Sequence, residues 1–220
     1  VDLRKGELLA KLDTATKYPT IATYHPVGEG GYLNDSPTHP FAGYQGLVHV
    51  SEKINGVSAR IAVLDDGDWL IGSRSQWLTG AGDRIANPEL DIVDTLARYA
   101  EVVPELYYPG SGVILVIYLE VYGQRQTPAW RTYGDGHPAA RLFDVAHVPL
   151  HVLDLSMEQI AVWRERPNGR FVPWTDQSMY SVPLGVPLVP SVDIVDAADL
   201  PTTVQAMYDR MVAWAPQTRA

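Results

Sequence analysis

The chain has 220 residues, of which 46% are hydrophobic and 20% are charged, so it can form one large globular domain or two small ones. It contains no cysteine, which excludes disulfides, thiolate metal ligands and cysteine nucleophiles. The formal net charge of −9 argues against a protein that binds nucleic acid over its whole surface, although it leaves room for a local groove lined by arginines.

The N-terminal part predicts a helix followed by a long irregular segment. Residues 3–12 have helical spacing after Asp2, which is a favourable capping residue. Residues 18–44 are rich in glycine, proline, asparagine and threonine, which indicates a lead-in loop with one strand at most.

Two strand-like runs, at residues 47–51 and 57–64, flank a polar break that contains Lys53 and Asn55-Gly56. Asn-Gly between such runs predicts a hairpin or tight turn, because both residues tolerate positive φ. Lys53 is the only lysine after residue 18, against 12 arginines. Arginine stays protonated and cannot replace lysine as a nucleophile, so Lys53 is a candidate for covalent chemistry on phosphorus or a carbonyl carbon. Arginine-biased codon usage and an ordinary solvent-exposed lysine would give the same pattern.

The rest of the chain alternates strands and helices without a regular βαβ rhythm. The patterns predict an aspartate-rich turn at 65–68, strands at 69–73, 113–122 and 141–148, helices at 91–103, 156–164 and 202–214, and a proline-rich loop or extended edge at 182–190. This order favours an α+β fold with antiparallel sheets. No segment resembles a signal peptide or a membrane-spanning run, so the expected location is the cytoplasm.

Two of these strands carry residues of chemical interest. Glu120 is the single charge in the strongest strand, and a carboxylate there needs either an ion-pair partner at the rim or a functional site. In the strand at 141–148, alternation predicts that Phe143 and Val145 share one face and that Asp144 lies on the other.

Four short motifs resemble those of the covalent nucleotidyltransferases, specifically the RNA-ligase branch of the ATP-dependent polynucleotide ligases. Residues 52–56 (EKING) look like the Lys-x-x-Gly nucleophile motif, and Ser73-Arg74 looks like the second motif. Residues 120–123 (EVYG) resemble the glutamate-bearing third motif, and residues 143–145 (FDV) are similar to the motif that follows. Residues 17–21 (KYPTI) also look like the family's N-terminal region. Each motif alone is weak, whereas four in the family's order, at strands or strand ends, make a much stronger match.

The resemblance implies a nucleotidyltransferase fold of twisted antiparallel sheets flanked by helices, acting with ATP and Mg²⁺ on nucleic-acid ends, with RNA favoured over DNA. It makes Lys53 the catalytic residue, which forms a lysyl-AMP intermediate and passes AMP to a 5′-phosphate for strand sealing. It implies contacts with the nucleotide or the 5′ end for Arg74, with the ribose for Glu120 and with adenine for Phe143. The remaining nucleotide-binding candidates are Glu52, Asn55, Gly56 and Arg60. The resemblance assigns no residue of this chain as a metal ligand.

The sequence also departs from the family. Asn55 stands where DNA ligases usually carry aspartate, which favours the RNA-ligase branch. The only Glu-Gly pair, Glu29-Gly30, precedes Lys53, and no lysine follows it, so the family's later metal-binding and triphosphate-binding motifs have no counterpart. We therefore expect one incomplete adenylyltransferase domain over residues 1–220, with a lead-in at 1–45, nucleotide-site strands at 46–150 and peripheral helices and loops at 151–220.

Three alternatives stay open at this level. The chain could be a related DNA ligase or capping guanylyltransferase, a degenerate ligase-like domain that binds nucleotide or nucleic-acid ends without catalysis, or a sheet-based interaction module that binds no nucleotide.

Other candidate sites are weaker. His147 and His151 have metal-ligand spacing for a helix, but Pro149 argues against a helix there. The glycines at 28, 30 and 31 lack the helix that follows a phosphate loop, and the aspartates at 65, 66 and 68 lack the glutamate of a calcium loop. Arginines clustered at 60, 74 and 84 and at 164, 166 and 170 are typical of a solvated surface.

Overall fold

The computed structural model describes residues 6–38, 44–81, 83–87, 91–108, 110–123, 127 and 137–215. The chain divides into two compact units, each made of segments that are distant in sequence. The first unit is Val1–Pro19 with Ile54–Leu188, and the second is Thr20–Lys53 with Val189–Ala220. The sequence-based prediction divides one domain into three consecutive segments, with boundaries at residues 45 and 150. That division stays a prediction.

The described residues contain five α-helices and eight strands. The helices are α1 (Gly6–Thr16), α2 (Ile92–Ala100), α3 (Met157–Glu165), α4 (Ser178–Leu184) and α5 (Val204–Trp214). The strands are β1 (Leu47–Ser51), β2 (Val57–Val63), β3 (Trp69–Ser73), β4 (Trp77–Gly80), β5 (Asp83–Arg84), β6 (Val113–Tyr122), β7 (Ala139–Pro149) and β8 (Ser191–Asp196).

The first unit is built on a six-stranded antiparallel sheet in the order β5-β4-β3-β2-β6-β7. Side chains alternate between its faces, so each face supports its own core. On one face, Ile61 and Ile117 pack with Leu96 of α2. On the other, Ala62 and Tyr118 pack with Leu12 of α1 and with α3. We call the second face the α1 face.

Side chains from three other elements fix the C-terminal end of α1. Tyr118 Oη donates to the Thr16 carbonyl at 2.9 Å, an Arg164 guanidinium nitrogen donates to the Thr14 carbonyl at 3.2 Å, and one from Arg60 donates to the Asp13 carbonyl at 3.2 Å. The Thr14 and Thr16 carbonyls are among those that a helix end leaves without an intrahelical partner, whereas the Asp13 carbonyl also accepts from the Lys17 N–H at 3.2 Å. The sequence-based end at residue 12 is therefore four residues early, and the predicted start at Asp2 and Leu3 lies outside the described residues.

The predicted hairpin around Asn55-Gly56 is wrong, although both of its strands exist. Strand β1 pairs with β8 in a two-stranded sheet, while both edges of β2 are occupied by β3 and β6. Neither Asn55 nor Gly56 has positive φ. The long apolar strand β6 takes the edge of β2 that a hairpin partner would have used.

The second unit contains the β1–β8 pair and α5. The backbone N–H of Val204 at the start of α5 donates to Asp35 Oδ1 at 2.8 Å, and Trp214 Nε1 at its end donates to Asp193 Oδ2 at 2.8 Å. Between residues 20 and 38, an isolated bridge joins Val27 to Leu33.

Most of the other predicted strands and helices are confirmed, and two predicted loop regions are wrong in part. The strands predicted at 47–51, 57–64, 69–73, 113–122 and 141–148 and the helices predicted at 91–103, 156–164 and 202–214 are confirmed within a few residues. The prediction of only helices and loops after residue 150 missed β8, and the predicted loop at 182–190 begins inside α4. The helix α4 contains Pro183 in its last turn and ends at Gly185, which has the left-handed conformation. Among the described residues, no helix is both long and apolar enough to cross a membrane.

Candidate functional site

The eight residues predicted for the site are divided between the units. Glu52 and Lys53 belong to the second unit, and the other six belong to the first. Glu52 is buried and its backbone N–H donates to the Pro190 carbonyl at 2.9 Å, whereas Lys53 is exposed. Lys53 precedes Gly56 by three residues, so the chain alone keeps their Cα atoms within about 11 Å of each other.

Gly56 and Glu120 are joined directly. The Gly56 backbone N–H donates to Glu120 Oε1 at 3.1 Å. A Cβ atom at position 56 would lie 2.3 Å from the Val121 carbonyl oxygen and 2.9 Å from Glu120 Cγ. Glycine is required here because the backbone of β6 approaches too closely for any side chain. Asn55, next to it, is exposed, and its carbonyl accepts from the Thr127 hydroxyl at 3.1 Å.

A row of polar residues crosses the sheet at the Gly56 end. Ser58 on β2 pairs with Glu120 on β6, which pairs with Arg141 on β7. We call these three residues the polar row. All three are half-buried, and Arg141 donates to the Leu188 carbonyl at 2.9 Å. Because Leu119 and Val121 pack into the core on the opposite face, Glu120 lies on the α1 face.

Arg74 lies at the same end of the sheet. Ser73 on β3 pairs with Ala59 on β2, so Arg74 follows at the level of Ser58. Its turn is held by Ser73 Oγ, which accepts from the backbone N–H groups of Ser75 and Gln76, both at 3.3 Å. The Arg74 side chain is exposed and can reach an anion.

Arg60 lies one row deeper and is only 2% exposed. It pairs across the sheet with Tyr118, forms an ion pair with Asp13 and stacks over the Trp77 ring at 4.3 Å. Burial lowers the pKa of Arg60 from its ordinary value, and Asp13 opposes that shift. The predicted nucleotide contact of Arg60 does not fit this position, because its guanidinium is used to hold α1 on the sheet.

Phe143 is the extra residue of a β-bulge in β7. Tyr118 pairs with Asp144 and Leu119 pairs with Leu142, so Phe143 stands between the two registers. The bulge overturns the predicted facing: Val145 packs in the α2 core, whereas Phe143 packs on the α1 face. The half-buried Phe143 ring lies on the same face as Glu120 and next to the polar row.

Asp144 and Tyr18 form a contact that the motifs did not indicate. Tyr18 Oη donates to Asp144 Oδ2 at 2.8 Å, while Oδ1 accepts from the Val145 N–H at 2.9 Å and from Gln177 Nε2 at 3.2 Å. Burial raises the pKa of Asp144 to about 6, against the opposing effects of the hydrogen bonds from Tyr18 and the Val145 N–H and of the Arg170 charge. Burial also raises the pKa of Tyr18 well above its ordinary range. The signal in the sequence was an aspartate between two apolar residues, Phe143 and Val145, in the middle of a strand.

The weaker candidates have structural explanations. Asp65 Oδ1 accepts from the Tyr107 hydroxyl at 2.9 Å and from the Gly112 N–H at 3.0 Å, which ties the aspartate-rich turn to the loop before β6. His147 Nε2 lies 2.9 Å from the Tyr180 hydroxyl oxygen. Across the part of the chain that the structure describes, no three histidine, aspartate or glutamate side chains converge as metal ligands would.

Replacing Gly56 with alanine should destabilise the first unit and displace Glu120. The added Cβ meets backbone rather than a flexible side chain, so the strands must separate, at a cost of about 1–3 kcal/mol. Urea unfolding would measure the loss. Gly6→Ala is the matched control, because a Cβ at that position meets nothing within 4 Å. A Gly56→Ala variant as stable as Gly6→Ala would contradict this packing.

Asp144→Asn should flatten the pH dependence of stability. The folded-state pKa of about 6 lies above the ordinary value, so the folded protein holds this proton more tightly than the unfolded chain does. The resulting stabilisation is present below about pH 4 and is lost as the pH rises through 6. The neighbouring Tyr18, Tyr118 and Arg170 do not titrate in this window.

The difference in unfolding free energy between Asp144→Asn and the parent should therefore shift by about 2–3 kcal/mol in favour of the variant from pH 4 to pH 7. Urea titrations at several pH values measure it. A difference that stays constant, or that moves in favour of the parent, would show that Asp144 titrates normally.

Comparison with known proteins identifies the fold. No family model matches the sequence, and no curated protein matches it. The chain is similar to an apo mutant of the RNA ligase of Naegleria gruberi, with 13% identity and a TM-score of 0.51, over 83% of this chain and 46% of that one. It is also similar to an archaeal ATP-dependent RNA ligase (16% identity, TM-score 0.49, 85% of this chain and 44% of that one). A mutant of the Naegleria enzyme with ATP and Mn matches as well (15% identity, TM-score 0.49, 74% and 40%).

The first of these likenesses shows that the chain has the α+β fold of the RNA ligases, with antiparallel sheets flanked by helices. This confirms the fold class expected from the motifs. The chain spans less than half the length of each of these structures.

Proposed function

We propose that this chain is an ATP-dependent RNA-ligase-like adenylyltransferase in which Lys53 carries AMP. One observation supports this most directly. The Gly56–Glu120 hydrogen bond joins the Lys-x-x-Gly segment to the glutamate-bearing strand end, although the two motifs lie 64 residues apart in sequence. Chance matches to two short motifs would not be expected to meet in one hydrogen bond of an RNA-ligase fold.

The first chemical step forms a bond between lysine and phosphorus. The neutral Nζ of Lys53 attacks the α-phosphorus of ATP, and the bond to the β-phosphate oxygen breaks. Pyrophosphate leaves with the electron pair, and the amine proton passes to solvent. Lys53 is exposed, so its amine can reach a nucleotide without local unfolding.

Two transfers follow. An oxygen of a 5′-phosphate attacks the phosphorus of lysyl-AMP, the P–N bond breaks, and the departing amine takes up a proton. A 3′-hydroxyl then attacks the 5′-phosphorus and loses its proton, AMP leaves, and the strand is sealed. RNA ends are the proposed substrates, in line with Asn55 at the position where DNA ligases usually carry aspartate.

The α1 face of the first unit offers groups that suit a nucleotide. The half-buried Phe143 ring can stack on the adenine, which is worth about 1–3 kcal/mol. A carboxylate has several acceptor sites, so Glu120 can accept ribose hydroxyls beside the Gly56 N–H. The exposed Arg74 guanidinium can bind a phosphate. Mg²⁺ bound to the nucleotide phosphates would neutralise their charge. The described residues offer no cluster of three histidine, aspartate or glutamate side chains for it, which fits an ion held mainly by phosphate oxygens and water.

Labelling with radioactive nucleotide tests the proposal. The protein is incubated with Mg²⁺ and either α-labelled ATP or α-labelled GTP, and the acid-labile label on the protein is counted. We expect label from ATP alone. Label from GTP would indicate a capping-type enzyme, and no label from either would refute the adenylyltransferase. A second comparison, with 5′-phosphorylated RNA or DNA ends added to the labelled protein, should release AMP onto RNA faster than onto DNA.

A domain that binds nucleotide without catalysis is the second candidate. It is favoured by the absence of any lysine after Lys53 in these 220 residues. Such a domain would show a higher melting temperature with ATP but no covalent label, because a ligand that binds only the folded state stabilises it. The interaction-module alternative predicts neither effect.

A further inference from the structure

The Tyr18 side chain contacts both residues of the β7 bulge, Phe143 and Asp144. Its hydroxyl donates to Asp144 at 2.8 Å, and its ring lies against Phe143 with centroids 5.1 Å apart at an interplanar angle of 74°. The same ring packs edge-on against Tyr118, at 5.0 Å and 80°. Tyr18 is therefore fixed at both its hydroxyl and its ring.

The bulge by itself does not fix the orientation of the Phe143 side chain. An extra residue interrupts the hydrogen-bond ladder between β6 and β7, so the direction of the Phe143 side chain is not set by strand pairing alone. Gln177 and the Val145 N–H hold Asp144 Oδ1, while Tyr18 holds Oδ2 and also contacts the Phe143 ring. An aromatic side chain that stacks on a base binds well only if its ring is already oriented, because ordering it on binding costs affinity.

We propose that Tyr18 is a positioning residue of the nucleotide site, which holds the Phe143 ring in one orientation through its bond to Asp144 and its edge-on ring contact. The proposal rests on the proposed function, because Phe143 serves there as the base-stacking group. Tyr18 acts through Phe143 in this proposal, so its effect falls on nucleotide binding and not on the chemical step.

Tyr18→Phe removes only the hydroxyl and therefore tests the bond to Asp144. Tyr107→Phe is a matched control, because Tyr107 Oη also donates to an aspartate, Asp65, at 2.9 Å. Asp65 follows β2 at the end opposite to Gly56, so this second tyrosine–aspartate bond is remote from the polar row. Tyr107→Phe also removes the contacts of this hydroxyl with the Val113 carbonyl and with Ser111 Oγ, so its local loss is at least as large, and only Tyr18 contacts the bulge.

The kinetic readout is the rate of lysyl-AMP formation as a function of ATP concentration. Tyr18→Phe should raise the KM for ATP about three- to tenfold and leave kcat within about twofold, as expected for one lost hydrogen bond that acts through binding. Tyr107→Phe should change neither constant. A KM for ATP that is unchanged in Tyr18→Phe, or raised equally in Tyr107→Phe, overturns the proposal.

Fluorine NMR gives a second readout that does not depend on activity. The chain has three phenylalanines and each Tyr→Phe variant adds a fourth, so labelling with 4-fluorophenylalanine gives a spectrum of three or four signals. The Phe143 signal is identified in each background as the one that disappears on Phe143→Leu. It should shift or broaden in Tyr18→Phe and stay in place in Tyr107→Phe. If the position and width of the Phe143 signal are the same in Tyr18→Phe as in the parent, the positioning role is overturned.

The two readouts separate the two hypotheses. If the parent protein takes up no label, the proposed function fails and with it the effect of Tyr18 on nucleotide binding, while the fluorine signal still decides whether Tyr18 orients the ring. If the parent is labelled but the signal and the KM for ATP are both unchanged by Tyr18→Phe, the function stands and the positioning role is refuted.

Discussion

Replacing Lys53 with arginine should abolish covalent labelling by ATP, lowering its rate by at least about a thousandfold. Arginine keeps the positive charge but stays protonated, so it has no free lone pair with which to attack phosphorus. Because Lys53 is exposed, its replacement should change the free energy of unfolding by no more than about 0.5 kcal/mol. The loss of label can then be assigned to chemistry and not to misfolding.

The measurement is the rate of acid-labile label formation, with thermal stabilisation by ATP recorded for the same samples. Lys17→Arg is the matched control, because Lys17 forms an ion pair with Asp13 at 2.6 Å that arginine can keep. We expect this variant to be labelled like the parent. A Lys53→Arg protein that still gains label at the parental rate would remove Lys53 as the nucleophile, and with it the proposed mechanism.

Replacing Asp13 with alanine should cost about 3 kcal/mol or more of unfolding free energy. Arg60 is 2% exposed, so its guanidinium would remain charged inside the first unit without its carboxylate partner. The Arg60 Nε already lacks a hydrogen-bond partner among the described residues, so the site has no spare acceptor to compensate. The end of α1 should loosen, and Tyr18 lies only two residues beyond it.

Chemical unfolding at pH 7 would measure this loss, with an unchanged slope against denaturant as evidence that two-state behaviour persists. Glu165→Ala is the control, because it breaks the more exposed Arg164–Glu165 pair and should cost less than about 1 kcal/mol. Asp13→Leu combined with Arg60→Met should recover most of the stability, since it removes both charges together. A cost for Asp13→Ala no larger than that for Glu165→Ala would show that the buried pair is solvated.

Several elements could be read from the sequence because their signals are local. The helix α3 begins at Ser156, whose side chain accepts from the Gln159 N–H while the Gln159 side chain accepts from the Ser156 N–H. This capping box needs only residues within one turn. The apolar run of β6 likewise predicts a buried strand. The four motifs predicted the fold class that the structure then showed.

The failures concern contacts between distant residues. The Asn55-Gly56 pattern is a good hairpin signal, yet β2 is paired with β3 and β6 because those strands complete a sheet with a core on each face. Alternation assigned Phe143 to the wrong face because a bulge shifts the register by one residue, and one residue reverses every side chain beyond it. Arg60 looked like a surface arginine because its partner, Asp13, lies 47 residues away.

The sequence by itself determined most of the helices and strands, although not β4, β5, β8 or α4. It also determined which chemistries are absent for lack of cysteine and which lysine is the candidate nucleophile. Only the tertiary structure decided that Gly56 must be glycine to admit β6, that Glu120 bonds to it, that Arg60 is buried, and that the Tyr18 ring contacts Phe143. The physical reason is that periodicity and capping depend on neighbours within a few residues. Burial and hydrogen-bond partners depend instead on strands and helices that meet only after the chain has folded.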